Sequence, residues 1–321
     1  MRAIRVHEAG GPEVLRLEEV PDPVPAAGEL LIDIQAVGIN FIEIYQREGL
    51  YSVPRPFIPG SEAAGVVRAV GAGVEDFRVG DRVVSQSIRG TYAERAVVPA
   101  ERAVRAGEVT SKVAAALWLQ GLTAHYLTHS THPLQRGDHV LVHAAAGGVG
   151  LLLCQLARKR GAVVIGTASS PAKLALARDA GAHEGIDYTK QDFVAEVRRI
   201  TGGAGVRVVY DSVGRTTFDG SLNCLSKRGM LVLFGQSSGP VPPLDPQVLN
   251  RKGSLFLTRP TLNDYVVSRA DLLERGETLL AWVREGSLTV RIGAEFSLER
   301  AGDAQRALAS RQTTGKVILL V

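Results

Sequence analysis

The residues best suited to chemistry lie in the run Val140-Leu141-Val142-His143-Ala144-Ala145-Ala146-Gly147-Gly148-Val149-Gly150. A β-branched stretch ends in a turn of small residues, and an apolar, helix-compatible run follows. Ala144, Gly147 and Gly150 stand three apart, an A-x-x-G-x-x-G variant of the dinucleotide fingerprint. Small residues at Ala146, Gly147, Gly148 and Gly150 let backbone N–H groups approach a pyrophosphate. The helix that opens at Val149 adds its dipole. Glycines also serve plain turns, so the pattern carries weight because strand, turn and helix come in that order and further αβ units follow.

The next strand ends at Ile165-Gly166-Thr167-Ala168-Ser169-Ser170. Sites selective for NAD place Asp or Glu about 20 residues past the loop, to hold the ribose hydroxyls. None stands here. Thr167, Ser169 and Lys173 occupy the region and can accommodate a 2′-phosphate, which favours NADP. The bland alternative for Lys173 is a solvated helix residue.

Metal chemistry lacks its ligands. A catalytic zinc needs Cys, His or carboxylate ligands, and a structural zinc usually needs four Cys. Cys154 and Cys224 are the only cysteines. They read as buried thiols in a reducing compartment rather than a disulfide framework. Without a Lewis acid the hydride acceptor should already be electrophilic, which suits quinones and α,β-unsaturated carbonyls. His125, His129 and His132 fall roughly on one helical face, but no acidic residue joins them and Pro133 breaks the segment. They read as a partly exposed helix end. Arg158-Lys159-Arg160 closes the helix after the loop, where cations complement the dipole.

The elements that must position these residues follow from periodicity. The first third reads as strands over 14–20, 30–37, 63–70 and 81–85, punctuated by Pro and Gly, with a short helix over 40–46. A long apolar helix over 113–128 follows. Strands over 139–143, 163–167, 183–187, 206–211, 230–234 and 254–257 then alternate with helices over 149–159, 171–180, 191–200, 217–225 and 246–250. Ser169 or Ser170 caps the second of these, with Pro171 at its first position. Six strands with intervening helices predict a doubly wound parallel sheet. The tail reads as a helix over 264–285, a strand over 291–296, a helix over 299–310 and a strand over 316–321. It resumes the first domain, so the expected domains are 1–118 with 261–321, and 119–260.

Composition sets wide bounds. The chain has 321 residues and a formal net charge of +4, with 37 basic and 33 acidic residues. That mild balance suits an anionic small ligand. It argues against nucleic acid, which usually needs basic residues gathered on one face. No apolar run approaches the ~18 residues of a membrane span, and the N-terminus has no apolar leader, so the expected location is the cytoplasm.

Several stretches together resemble a known family: Gly38-Ile39-Asn40-Phe41-Ile42, Gly49-Leu50-Tyr51, Gly60-Ser61-Glu62-Ala63-Ala64-Gly65, the loop above, Val209-Tyr210-Asp211-Ser212-Val213-Gly214, Phe234-Gly235-Gln236-Ser237-Ser238-Gly239 and Leu257-Thr258-Arg259-Pro260. Over nearly its whole length the chain is similar to the quinone oxidoreductase, or zeta-crystallin-like, branch of the medium-chain dehydrogenase/reductase superfamily. Where zinc relatives carry a ligand Cys and Gly-His-Glu, this chain has Ile39-Asn40 and Gly60-Ser61-Glu62.

The resemblance implies a Rossmann domain inserted into a GroES-like β-rich catalytic domain, and NADPH held in the cleft between them. It implies that the nicotinamide faces Asn40, Tyr45 and Tyr51, and that the adenosine phosphate meets Lys173, Tyr188 and Arg311. Ser212, Phe234, Gly235, Ser237, Phe256, Leu257 and Thr258 would line the dinucleotide. Asn40, Tyr45, Tyr51 or Arg259 would donate to the acceptor oxygen. A tyrosine, or water, would supply the proton. Gln120 and Phe256 replace a lysine and a tyrosine of some relatives. Expected activity is metal-free NADPH:quinone reduction. The alternatives are enone reduction and, from zeta-crystallin relatives, RNA binding or a structural role. A homodimer is the expected assembly, with a tetramer as the alternative.

Overall fold

The computed structural model describes residues 1–321. The chain divides into two units, Met1–Leu122 with Val266–Val321, and Thr123–Tyr265. In the first unit, β1 (Arg2–Arg5) and β2 (Arg16–Glu19) form an antiparallel pair. The strand expected over 14–20 starts late because Pro12 opens a 3-10 turn, Pro12–Val14. A second sheet begins with β3 (Glu29–Gly38), and α1 (Phe41–Glu48) follows. It continues with β4 (Ala63–Val70), β5 (Arg82–Ser85), β6 (Arg95–Pro99) and β7 (Val104–Arg105). Leu30, Ile32, Ile34 and Val37 of β3 pack with Val67, Val83 and Val98 in the core of this unit.

The boundary falls inside α2 (Ser111–Tyr126), which runs on into a π-turn, Leu127–Thr131. There the Thr128 hydroxyl donates to the Ala124 carbonyl (2.8 Å). The second unit then alternates strictly. Its elements are β8 (His139–Val142), α3 (Gly148–Lys159), β9 (Val163–Ala168), α4 (Pro171–Asp179), β10 (Glu184–Asp187), α5 (Phe193–Ile200), β11 (Val206–Asp211), α6 (Phe218–Cys224), β12 (Leu225–Leu233), α7 (Gln247–Arg251) and β13 (Phe256–Thr258). Ser170, rather than Ser169, caps α4, with its side chain accepting the Lys173 N–H (3.3 Å). The strands are all parallel, in the order β10-β9-β8-β11-β12-β13. This is the doubly wound order, and its switch point lies between β8 and β11.

The helix expected over 264–285 begins late. A 3-10 turn, Leu262–Tyr265, precedes it, and α8 spans Arg269–Arg284. Ser268 supplies the start signal: its hydroxyl accepts the Asp271 N–H (3.0 Å) while the Asp271 carboxylate accepts the Ser268 N–H (3.2 Å). After β14 (Ile292–Ser297) and α9 (Ala301–Ala309), β15 (Lys316–Leu320) pairs with β3. The tail thus completes the first unit's sheet, in the order β14-β15-β3-β4-β5-β7 with β6 also on β3. No helix is long and apolar enough to cross a membrane.

Candidate active site

In the first unit the site residues gather where β3 meets α1. Gly38 ends β3, and a Cβ there would lie 2.1 Å from Glu62 Oε2, so only glycine lets that carboxylate reach the turn. Asn40 then caps α1, and Glu43 reaches back to accept its backbone N–H at 2.6 Å. Lys316 Nζ, at the start of β15, donates to Asn40 Oδ1 (2.7 Å) and Glu62 Oε2 (2.6 Å). Both charged side chains are essentially inaccessible, at 1 % and 0 % exposure. The second Glu62 oxygen accepts the Leu119 N–H. A buried pair is tolerated when further hydrogen bonds satisfy both ions, as here.

This arrangement consumes the Asn40 side chain. Its Nδ2 donates to the Gly38 carbonyl (3.2 Å) and to Glu62 Oε2 (3.0 Å), while its oxygen takes the ammonium. An amide has two donor protons, and both are directed inward. Both Asn40 donor protons are thus engaged within the protein. Glu43 is buried with Oε1 unpartnered. Burial pushes its carboxyl up to about 8, against the pull of Lys316 and the Asn40 N–H.

Tyr45 and Tyr51 do come together. Gly49 ends α1 in the left-handed conformation, and the chain doubles back so that the Tyr51 N–H reaches the Tyr45 carbonyl (3.2 Å). Their rings meet edge to face at 5.5 Å, and Phe41, one turn earlier, lies 6.1 Å from Tyr45. Arg311 belongs to this unit, in a left-handed turn after α9.

The second unit carries the phosphate cradle. β8 ends at Val142, and Ala144 takes a left-handed φ of 51°. The Gly147 N–H donates back to the Ala144 carbonyl (2.9 Å), and Gly147 becomes the N-cap of α3. A Cβ on Gly150 would sit 2.3 Å from the Ala144 oxygen, so the turn demands glycine there. First-turn amides of a helix have no intrahelical acceptor, which makes 148–150 a fitting seat for a phosphate.

Thr167, Ser169, Lys173 and Tyr188 share one corner at the ends of β9 and β10. Lys173 Nζ bends back to Ser169 Oγ (3.4 Å), and the Tyr188 N–H donates to the Ala168 carbonyl (3.2 Å). The nearby Asp187 carboxylate is occupied by the Thr189 N–H (3.1 Å) and hydroxyl (2.6 Å), which hold its pKa below the usual carboxylate range. Ser212, Phe234, Gly235 and Ser237 also meet. The Phe234 N–H donates to the Asp211 carbonyl (2.9 Å) and the Ser237 N–H to the Ser212 carbonyl (3.1 Å).

Other candidates stand apart. Phe256 pairs with Met230, two residues back from Thr258, and is 55 % exposed on the sheet's edge strand, with Leu257 36 % exposed beside it. Arg259 is exposed after β13, near Tyr126, whose phenol burial pushes well above its ordinary value against the pull of Arg259; Tyr126 stacks on Tyr265 at 4.1 Å. His125 is buried rather than at a partly exposed helix end, and it stacks on His129 at 4.1 Å. No group of three or more His, Cys, Asp or Glu is arranged to hold a metal ion. Cys154, in α3, and Cys224, in α6, are buried free thiols, each pushed up to about 12 by burial.

A doubly wound dinucleotide fold set into a β-rich unit defines the alcohol dehydrogenase class, and two family descriptions match it. The alcohol dehydrogenase GroES-like domain covers residues 26–108, and the zinc-binding dehydrogenase family covers residues 148–280. A quinone oxidoreductase of Salmonella typhimurium is 44 % identical over 99 % of this chain and 98 % of its own. A 2-haloacrylate reductase of Burkholderia is 40 % identical over 98 % of this chain and 97 % of its own. A mycobacterial structure complexed with NADPH superposes with a TM-score of 0.97 at 48 % identity, covering 100 % of both chains. The chain belongs to the quinone oxidoreductase branch of the medium-chain dehydrogenase/reductase superfamily.

Proposed function

We propose that this chain is an NADPH-dependent oxidoreductase that reduces small quinones. The observation that carries this reading is the cradle at 144–150 beside a strand end where Lys173 is drawn onto Ser169. The pair can receive a 2′-phosphate, and the nearby Asp187 carboxylate is engaged by Thr189. Bound there, NADPH supplies the hydride. Thr167, Ser169, Lys173, Tyr188 and Arg311 serve its adenosine phosphate, and Gly147, Gly148, Val149 and Gly150 its pyrophosphate. Ser212, Phe234, Gly235, Ser237 and Thr258 line the rest.

Tyr45 and Tyr51 donate to the acceptor oxygen, with Arg259 assigned the same task by family resemblance. Asn40 shapes the floor through its bonds to Lys316 and Glu62. A second reading, an activated-alkene or enone reductase, draws on the Burkholderia 2-haloacrylate reductase. We assign Phe256 and Leu257 to a subunit contact rather than to the coenzyme, in a cytoplasmic homodimer. The exposed edge of β13 supports the dimer, and the two buried free thiols suit a reducing compartment.

The test follows absorbance of NADPH and of NADH with a small benzoquinone, a larger ortho-quinone and an enone. Quinone-dependent oxidation of NADPH in preference to NADH is the expected result. Lys173→Ala should lower that preference about tenfold or more, through loss of a charge-assisted bond to phosphate. Turnover with the enone alone would move the assignment to the second reading.

A further inference from the structure

Beneath the phosphate cradle lies a buried polar chain that the cradle alone does not require. His143 follows β8 directly and precedes the left-handed Ala144. Its Nδ1 lies 3.0 Å from Thr167 Oγ1, and its Nε2 lies 3.0 Å from Ser221 Oγ. Ser221 Oγ is 2.8 Å from Asp211 Oδ2, which also accepts the Thr217 hydroxyl at 2.7 Å. The other Asp211 oxygen takes the N–H groups of Val213 (2.8 Å) and Gly214 (3.0 Å). Phe193 of α5 covers the imidazole edge-on at 5.0 Å.

Proton counting gives this chain a direction. A carboxylate only accepts, so the single Ser221 proton goes to Asp211. Ser221 Oγ must then accept from His143 Nε2–H. In a neutral imidazole, Nδ1 is left as the acceptor, and it receives the Thr167 hydroxyl proton. Burial disfavours the imidazolium and holds the His143 pKa below its ordinary value, against the pull of Asp211. Asp211, on β11, is the charged group facing the ring. β9 presents Thr167, α6 presents Ser221 and α5 presents Phe193, all neutral.

We propose that His143 is a positioning residue for the coenzyme: as the neutral Nε2–H tautomer it ties Thr167 to Asp211. It thereby holds fixed three strand ends, those carrying the phosphate cradle, the Ser169–Lys173 corner and the loop over 212–214. The role rests on the coenzyme assignment proposed above.

The experiment uses the full chain. Long-range ¹H–¹⁵N correlation of the seven histidines, with His143 assigned by its absence from His143→Asn, should show a protonated Nε2 and an unprotonated Nδ1. That state should persist to a pH below the ordinary histidine value of about 6.5. NADPH affinity by fluorescence titration gives the second readout. His143→Phe, which removes both bonds, should weaken NADPH about tenfold, and NADH less, because Thr167 leads into the Ser169–Lys173 corner. In His143→Asn the amide oxygen stands near Nδ1 and keeps the acceptor for Thr167 but loses the donor to Ser221, so the tie is cut and affinity should fall severalfold. His143→Gln keeps only the donor and should resemble the Phe variant.

An imidazolium or an Nδ1–H tautomer at neutral pH would overturn the proposal. So would wild-type affinity in either the Asn or the Gln variant, a comparison that stands even where His143→Phe does not fold. A wild-type chain that bound no dinucleotide would sink the coenzyme assignment and this role with it. Wild-type binding with no loss in His143→Phe would overturn this role alone.

Discussion

Glu43 is buried and held far from the ordinary carboxyl range. Its carboxyl stands at about 8 in the fold against an ordinary 4.5, chiefly through burial. The folded chain therefore keeps a proton that the unfolded chain gives up between those values. The sign follows directly: this stability is fully present below about pH 4.5, declines as pH rises, and is gone above about 8. Each unit of the gap corresponds to about 1.4 kcal/mol. The melting temperature should thus fall from pH 5 to pH 9, and Glu43→Gln should flatten that slope while still accepting the Asn40 N–H. Calorimetry across the range checks it, and an equally steep variant would contradict it. Lys316 shows what cannot be seen at this scale from sequence. It reads as the first residue of a terminal strand, yet it bonds to Asn40 and Glu62, 276 and 254 positions away. No local pattern marks such a partner. A lone lysine before Val317-Ile318-Leu319 was the only signal.

The turn from β8 into α3 makes the sharpest demand of any element. Gly150→Ala would drive a methyl to 2.3 Å from the Ala144 oxygen, backbone against backbone. The cradle must open to admit it, so the variant should lose NADPH binding and melt earlier, by roughly 2–4 kcal/mol of stability. Gly147→Ala, whose methyl would lie 3.1 Å from the same oxygen at a negative φ of −76°, should be milder. Melting curves with and without NADPH separate the two, and equal losses would refute the distinction. This turn was legible in the sequence because small residues, strand and helix all point to one geometry. The same holds for the alternation over 139–258, where β-branched runs and capped helices repeat. Boundaries were less legible where a side chain decides them. Ser268 and Asp271 start α8 late by capping each other, and the preceding 264–267 have helix-compatible residues but no cap. His143 and Asp211 sit at strand ends and read as polar punctuation. Their link runs through Ser221, ten positions past Asp211, and emerges only when the sheet aligns β8 with β11.

At the scale of the whole molecule, β13 leaves one side of the parallel sheet unpaired, with Phe256 and Leu257 facing outward. An exposed apolar edge strand is a template for another strand, and a two-fold pair would cover it. The double variant Phe256→Lys with Leu257→Lys should halve the molar mass measured by light scattering, with NADPH still bound. An unchanged mass would place the subunit contact elsewhere. The sequence could suggest the sheet but not that this strand ends it, because Phe-Leu-Thr reads equally well as a covered strand. The placement of the two thiols has a consequence of another kind. Quinones and enones are themselves electrophiles that add to thiolates. Cys154 and Cys224 are the only sulfhydryls in the chain, both are shut inside the dinucleotide unit, and both are pushed up to about 12. Reactivity of this kind needs an accessible thiolate, and these offer neither access nor charge at neutral pH. A catalyst that lives among alkylating agents thus presents them with no cysteine to poison, and its working life should be indifferent to the arylating power of what it reduces.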